Sequence, residues 1–295
     1  MQSFYWQLFF VYLAFVSLAT LLALARRWAR PNGSPSNTWK KYPIYLFLNF
    51  VFLVVILMPR NWHAVGFLAA AIGCCASWEL SRALGLSKIE WILLPATTAV
   101  LILSAVWLQP ASFIKIWLVI TLASVATSGL TGRHESLGRH VLGFAACLVY
   151  LPLCLAAFVW ISQTDTGYFD VIFVYGVIAT NDAFAQIVGQ LVGRSMLAPH
   201  ISPGKTIEGA AGGLFFAALF GAILCPAVGW SYVHGVLIGA ALALAGQIGD
   251  LTVSSWKRAL GLKDFSSLLG AHGGVLDRFD AFIFAAPIFF LLSGR

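Results

Sequence analysis

Long apolar runs dominate this sequence, and they restrict what it can fold into more than any other feature. There are about ten of them, each close to the ~20 residues that an α-helix needs to cross the core of a bilayer. Only 10% of the residues are charged, whereas soluble domains carry about 25%. The sequence therefore predicts an all-α fold, a polytopic integral membrane bundle of about nine or ten transmembrane helices.

The runs divide the chain into predicted spans that are joined by short polar loops. The longest polar stretch, 26–41, is too short to bury a hydrophobic core of its own. We therefore expect no inserted soluble domain. The predicted spans are 3–25, 42–59, 63–83, 90–108, 111–130, 139–162, 167–191, 210–229, 234–256 and 275–293.

Basic residues are distributed unevenly between the two sides that these spans define. If the N-terminus faces outward, all but three of the 18 Lys and Arg residues fall on the inward side. The three exceptions are Arg60, Lys115 and Arg295. Because cytoplasmic loops are enriched in Lys and Arg, we expect an integral protein of a bacterial inner (plasma) membrane, with no targeting extension. The same rule accounts for the net charge of +7 without nucleic acid as a partner.

Acidic residues gather near the predicted cytoplasmic ends of the last four spans. A charge at the bilayer centre costs roughly 2.5–3.5 kcal/mol on insertion scales, so these acids indicate a polar cavity, a metal or a cationic partner. For any single acid, a solvated loop position or an interhelical ion pair is an equally good interpretation. The six acids are Asp182, Glu208, Asp250, Asp264, Asp277 and Asp280.

The spacing of these acids places several of them on common helical faces. Asp250, Ser254 and Lys257 follow one another at intervals of four and three residues, and Asp277 and Asp280 are three residues apart. Carboxylates on facing helices suit Mg²⁺, which is usually bound by one or two carboxylates together with substrate phosphates. The spacing therefore predicts a cation site between two helices.

Two loops combine small or hydroxyl residues with the start of a helix. The sequence HGG at 272–274 precedes the last span, and two glycines allow backbone N–H groups to approach an anion. The sequence SPGKT at 202–206 supplies Lys205 and a hydroxyl, but it lacks the first glycine of a Walker A loop. Phosphate contact is one interpretation of each loop. A plain helix-entry turn and an N-cap by Thr206 are the alternatives.

This set of residues suits chemistry at phosphorus. A lipid phosphate monoester has a second pKa of about 6, so it is already an anionic nucleophile near neutral pH and needs no strong general base. An enzyme must instead hold two polyanions in line and offset their repulsion. Lys and Arg side chains and metal ions do this.

The charged motifs of the last 40% of the chain closely resemble the signature of the phosphatidate cytidylyltransferases, also called CDP-diacylglycerol synthases. The resemblance is specific over roughly 180–295, and the pair Trp78-Glu79 is a weaker echo upstream. The matching segments are 197–199 (LAP), 202–209 (SPGKTIEG), 246–251 (GQIGDL), 254–258 (SSWKR), 263–264 (KD) and 272–280 (HGGVLDRFD).

The resemblance implies a magnesium-dependent reaction of CTP with phosphatidate, giving CDP-diacylglycerol and pyrophosphate at a cytoplasmic active site among membrane lipids. It also implies N-terminal transmembrane helices at 1–165 and a C-terminal catalytic region at 166–295, within one membrane domain. A homodimer is left open. By resemblance the catalytic residues are Asp250, Lys257, Asp264, Asp277 and Asp280, and the four aspartates are the metal ligands. The implied nucleotide and phosphate contacts are Lys205, Thr206, Arg258, Lys263, His272, Gly273, Gly274 and Arg278.

The sequence departs from the family pattern around Asp182. Members usually have Ser or Thr directly after this Asp and Tyr four residues after it, where this chain has Ala183 and Gln186, and Asn181 precedes it. These departures leave open a paralogue that acts on another lipid phosphate, or a catalytically silent scaffold. A transporter is the alternative from another class, because transporters also keep ionisable residues inside a helix bundle.

Overall fold

The computed structural model describes residues 62–131, 137–270 and 273–294, and this part of the chain is almost entirely helical. In chain order the helices are α1 (Trp62–Ala83), α2 (Glu90–Ser104), α3 (Pro110–Thr131), α4 (Leu137–Phe144), α5 (Leu151–Gln163), α6 (Gly167–Val192), α7 (Ile207–Leu224), α8 (Tyr232–Ala259) and α9 (Leu276–Ser293).

These helices confirm the predicted fold class. Eight of the ten predicted spans coincide with them, because α4, a π-helical segment (Ala145–Tyr150) and α5 together form the span predicted at 139–162. The predicted spans 3–25 and 42–59 lie outside the described residues. Within the described part, 5 helical stretches are long and apolar enough to cross a membrane.

The hydrophobic core lies around α5, where every residue from Leu155 to Ile161 is buried. Phe158 of α5 meets Phe282 of α9 edge to face, with ring centroids 4.7 Å apart. Such aromatic contacts add about 0.5–1.5 kcal/mol beyond the burial of area. Helix α9 is therefore held against the centre of the bundle, which fixes the position of its first turn. The predicted boundary at 165–166 falls in the turn after α5, and helices from both sides of it share this core.

The π-helical segment interrupts the regular helix between α4 and α5. A π turn closes i→i+5 hydrogen bonds, and here the N–H of Leu151 donates to the carbonyl of Ala146. Two side chains from neighbouring helices donate to carbonyls in this segment. Thr98 Oγ1 of α2 lies 2.8 Å from the Cys147 oxygen, and Trp117 Nε1 of α3 lies 2.5 Å from the Leu148 oxygen. The segment therefore ties three helices together.

A short antiparallel hairpin lies between α6 and α7, where the sequence predicted only a polar loop. Strand β1 (Met196–Ala198) pairs with β2 (Ser202–Thr206). The prediction was wrong because the hairpin is fixed by a residue outside it. The carboxylate of Glu208, in the first turn of α7, accepts a hydrogen bond from the Ser195 N–H at 3.2 Å. This contact closes the base of the hairpin on the helix that follows it.

Helices α7 and α8 pack closely through small residues. A Cβ atom added at Gly239 of α8 would lie 2.8 Å from the backbone oxygen of Ala217 of α7. Gly221 of α7 and Gly235 of α8 meet the opposite backbone in the same way. Small residues drive helix association in membranes because they let two backbones approach. This contact sets the distance between α8, which carries Asp250, and α7, which directly follows the strand that carries Lys205.

Replacing Gly239 by Val should therefore separate α7 from α8. We expect a loss of about 1–3 kcal/mol from overpacking, measured as a lower midpoint of thermal unfolding in detergent. The matched control is Leu237→Val, which places the same side chain on the same helix at a position that is 63% exposed. Equal midpoints for the two variants would contradict the close packing.

Candidate active site at one end of the helix bundle

The residues that the sequence singled out lie at one end of the bundle. The last turns of α1 and α8 meet the first turn of α9 there, together with the hairpin and the described parts of the loop after α8, 260–270 and 273–275. Hydrogen bonds connect these parts directly, from α1 to α9 and from the end of α8 to the hairpin. The site is therefore assembled from elements that are distant in sequence.

Asp277, in the first turn of α9, is bound on both carboxylate oxygens. Its Oδ1 lies 2.8 Å from Nζ of Lys257 on α8, and both side chains are buried. Its Oδ2 accepts the N–H of Gly274 at 2.8 Å and that of Phe265 at 3.1 Å. A buried charge is retained where a partner and hydrogen bonds compensate its desolvation. Asp277 therefore holds Lys257, the preceding loop and α9 in one arrangement.

Asp280 lies one turn further along α9 and is also buried. Its Oδ1 accepts the N–H of Ala281 at 2.8 Å. None of the described residues hydrogen-bonds to its other oxygen, Oδ2. Asp280, Asp250 and Asp182 are close enough to repel one another electrostatically, and they come from α9, α8 and α6. Positive charge nearby offsets this repulsion, here that of Lys205 for Asp182 and of Lys257 for Asp280.

Asp250 connects α8 to the hairpin. Its Oδ2 forms an ion pair with Nζ of Lys205, and its Oδ1 accepts a hydrogen bond from Ser254 at 3.2 Å. The predicted common face of Asp250, Ser254 and Lys257 is thus present in the structure. The Lys205 and Asp250 side chains are 30% and 33% exposed, so solvent or a substrate reaches this pair.

Asn181, which the sequence treated as a departure from the family pattern, belongs to a polar network. Its Nδ2 donates to Asp182 at 3.0 Å, and its Oδ1 accepts from Gln247 of α8 at 2.8 Å. Gln247 also donates to the Ala210 oxygen of α7 at 3.0 Å. The network satisfies buried polar groups and joins α6, α7 and α8. It also holds one oxygen of the exposed Asp182 carboxylate.

Asp264 approaches Asp277 across Gly273. A Cβ atom at Gly273 would lie 3.0 Å from Asp264 Oδ1 and 2.9 Å from Asp277 Oδ2. Gly273 has a φ of +81°, which L-residues with side chains rarely adopt. The neighbouring Lys263 is exposed. The structure thus brings Asp264 to the Asp277 side of the site, whereas Asp250 lies on the hairpin side.

Several predicted phosphate contacts are engaged within the chain. Thr206 Oγ1 accepts the N–H of Gly209 at 3.1 Å, so the N-cap alternative is confirmed. Arg258 donates through Nε to the Ile201 oxygen and through Nη1 to the Leu262 oxygen, both at 3.0 Å, and so ties the hairpin to the end of α8.

The other predicted contacts differ in their surroundings. The N–H of Gly274 is used by Asp277. Arg278 is exposed in the first turn of α9, within electrostatic range of Asp182. His272 lies outside the described residues.

The four predicted metal ligands do not surround a common point. In the described ranges, no group of three or more His, Cys, Asp or Glu residues is arranged to hold a metal ion. Asp277 and Asp250 each have a lysine partner instead. The carboxylates of Asp182, Asp250 and Asp280 still supply hard oxygen donors of the kind that Mg²⁺ requires. The magnesium site stays a prediction, and these three residues fit it best.

Glu79 of α1 is the residue that the sequence undervalued. It is fully buried, and its Oε1 accepts hydrogen bonds from the Ser266 hydroxyl at 2.6 Å and the Val275 N–H at 2.8 Å. Its Oε2 accepts the Leu276 N–H at 2.9 Å. A carboxylate that binds the free N–H groups of a helix start caps that helix and favours its dipole. The signals in the sequence were an acid inside an apolar span and the weak resemblance of Trp78-Glu79 to the family pattern.

The fold and the site first define a class of protein. This is a polytopic helical membrane protein that gathers carboxylates and cations at one end, as an enzyme for anionic substrates requires. The chain belongs to the cytidylyltransferase family, whose model matches residues 39–294. This match confirms the resemblance that the motifs indicated.

Curated relatives agree with this assignment. The phosphatidate cytidylyltransferase of Aquifex aeolicus (strain VF5) is 34% identical over 242 residues, which are 81% of this chain and 85% of the relative. The phosphatidate cytidylyltransferase of Bacillus subtilis (strain 168) is 32% identical over 258 residues, 82% of this chain and 93% of the relative. These similarities do not favour the transporter alternative.

The capping of α9 by Glu79 can be tested by replacing one of the two carboxylate oxygens that accept backbone N–H groups. Glu79→Gln replaces one accepting oxygen with an NH₂ group that faces a backbone N–H, and we expect a loss of about 1–3 kcal/mol. Gly274→Ala should have a similar effect, because the new Cβ would overlap the Glu79 carboxylate. The measurement is the midpoint of thermal unfolding in detergent.

The matched control is Glu90→Gln at the start of α2. Glu90 accepts the Ser87 N–H at 2.7 Å in an exposed position, so its replacement should lower the midpoint less. A Glu79→Gln variant that is as stable as the control would contradict the capping role.

Proposed function

We propose that this protein transfers CMP from CTP to phosphatidate, releasing pyrophosphate and forming CDP-diacylglycerol. A phosphate oxygen of the lipid attacks the α-phosphorus of CTP, and the bond from that phosphorus to the oxygen bridging to the β-phosphorus breaks. Pyrophosphate leaves with the electron pair of that bond. The observation that carries the proposal is the presence of two ion pairs, Lys257–Asp277 and Lys205–Asp250, at one end of a helix bundle of this family.

The chain's own residues do most of the positioning in this proposal. Lys205 exchanges Asp250 for a phosphate oxygen of CTP, because their ion pair is partly exposed. Arg278 and Lys263 are exposed and would add positive charge for the leaving pyrophosphate. Asp277 holds the Lys257 side chain in place through an ion pair at 2.8 Å. No described residue needs to act as a general base, since phosphatidate is already anionic.

Magnesium is the cofactor that we propose for this reaction. Asp182, Asp250 and Asp280 would hold it, and their mutual repulsion would fall on binding. When bound, it would offset charge on the phosphates of CTP. Asp277 then serves the site by holding the loop and Lys257, and neither it nor Asp264 is a main ligand.

Turnover tests the proposal directly. Purified protein with CTP, Mg²⁺ and phosphatidate should release pyrophosphate. Asp280→Asn and Asp277→Asn should lower the rate at least about 100-fold, because each removes preorganised charge from the site. Asp165→Asn is the matched control, since Asp165 is exposed in the turn between α5 and α6 at the other end of the bundle.

A screen of lipid phosphates with radiolabelled CTP identifies the substrate. Transfer to phosphatidate supports the proposal, and transfer only to another lipid phosphate would assign the chain to a paralogue with a different lipid. Absence of transfer to any lipid phosphate, in a folded preparation, would overturn the enzymatic function.

We further propose that the site faces the cytoplasm from a bacterial inner membrane. The distribution of basic residues supports this orientation. A cysteine at the exposed position Ser267 should react with a membrane-impermeant reagent only from the cytoplasmic side. Gln109→Cys, in the exposed turn between α2 and α3, should react only from the other side. The reverse pattern would contradict the orientation, and the unsubstituted chain gives the background of its own five cysteines.

A further inference from the structure

A cleft of about 630 Å³ opens beside the site, between the last turn of α1 and the loop that follows α8. Trp78, Glu79 and Arg82 line it on the α1 side, and Phe265, Ser266 and Leu268 line it on the loop side. Its volume falls within the range of about 300–1,000 Å³ that is usual for ligand pockets. None of the residues assigned to the nucleotide lines this cleft.

Arg82 is the cation of the cleft, and aromatic rings hold it. Its guanidinium carbon lies 4.8 Å from the centre of the Trp78 ring and 5.4 Å from that of Trp91. None of the described carboxylates forms an ion pair with it. Stacking occupies the faces of a guanidinium and leaves its N–H edges available, and those edges match the oxygens of a phosphate. The geometry provides an ordered anion contact.

The acid at the floor of the cleft does not compete for Arg82. Both oxygens of Glu79 are occupied by Ser266 and by the first N–H groups of α9. The positive end of the α9 dipole compensates its charge. In the cleft, Arg82 is therefore available to bind an anion, and the negative charge of Glu79 below it is compensated by the start of α9.

The opposite wall is mixed, because the apolar residues Leu262, Phe265 and Leu268 line it together with Ser266 and Ser267. Phe265 is buried, and Leu268 is 53% exposed. Indole rings such as those that hold Arg82 are enriched where membrane lipid meets water. A lipid head group, which carries a phosphate, polar ester groups and the start of its hydrocarbon chains, matches a cation that faces serine hydroxyls and apolar side chains.

The cleft and the Lys205–Asp250 pair are formed by different elements, the cleft by α1 and the loop after α8, and the pair by β2 and α8. Helix α9 packs against both α1 and α8. The backbone N–H of Phe265, which lines the cleft, binds Asp277 at 3.1 Å. Transfer of CMP from CTP to a lipid phosphate requires one binding site for each anionic substrate. Lys205 and the cleft with Arg82 supply these two sites.

We propose that this cleft binds the head group of the lipid substrate, with Arg82 as the phosphate contact and Phe265 and Leu268 against the glycerol ester region. The proposal rests on the proposed function and adds to it the place of the lipid. CTP then occupies the hairpin side, near Lys205.

Steady-state kinetics in mixed micelles test the assignment. Arg82→Ala should raise the KM for phosphatidate about 10-fold or more, as the loss of a charge-assisted contact does, and leave the KM for CTP within about twofold. Arg82→Lys keeps the charge but loses the planar fork, so its effect should be intermediate. The control is Lys88→Ala, which removes an exposed cation from the loop after α1 that does not line the cleft.

A binding measurement separates this proposal from the reaction itself. Fluorescent short-chain phosphatidate is titrated into the full chain in detergent, with CTP, inorganic phosphate and diacylglycerol as competitors. We expect Arg82→Ala to lose phosphatidate binding and to retain CTP binding. If the unsubstituted chain binds phosphatidate through Arg82 but shows no turnover, the proposed function fails and the cleft assignment stands.

Three results would overturn the cleft assignment. One is a loss of CTP binding in Arg82→Ala, which would place the nucleotide in the cleft. Another is unchanged phosphatidate binding and KM in a variant whose unfolding midpoint equals that of the parent. The third is competition by inorganic phosphate that is as strong as competition by phosphatidate. This result would show that Phe265 and Leu268 do not contribute to binding.

Discussion

The ion pair between Lys257 and Asp277 is the interaction on which the rest of the site depends. Both side chains are buried at the end of a membrane bundle, where an unpaired charge is costly, and removal of one partner of such a pair typically costs 3–5 kcal/mol. Asp277 also binds two backbone N–H groups of the loop before α9. The pair therefore fixes a side chain, a loop and a helix start together.

Helix α9 is the element that both proposed substrate sites, the lipid cleft and the CTP site near Lys205, depend on. Glu79 caps it from α1, the aromatic core holds it against α5, and its first two turns carry Asp277 and Asp280. The proposed lipid cleft is lined by Glu79 and Phe265, which both hydrogen-bond to the start of α9. An enzyme that joins two polyanions needs rigid carboxylates close to its cationic groups, and these contacts fix Asp277 in that way.

The sequence predicted the helices well because each apolar run must form an α-helix to satisfy its backbone in lipid. It also predicted the shared faces of Asp250 with Lys257 and of Asp277 with Asp280, because helical periodicity is local. It missed the hairpin, which Glu208 and Arg258 fix from outside. It undervalued Glu79, whose partners Val275 and Leu276 lie nearly two hundred residues away in the chain. Contacts of that kind depend on tertiary packing, which periodicity does not report.

The π-helical segment between α4 and α5 has a consequence for how this chain compares with its relatives. A π turn accommodates one residue more than an α turn, so the segment is equivalent to a single insertion in an otherwise regular helix. A homologue with an unbroken helix here would align only across a one-residue gap. In such a homologue, the residues that correspond to Thr98 and Trp117 would lack the carbonyl acceptors that the π segment supplies here. We therefore expect the hydroxyl and the indole to be present in relatives that have the inserted residue and absent from those that lack it.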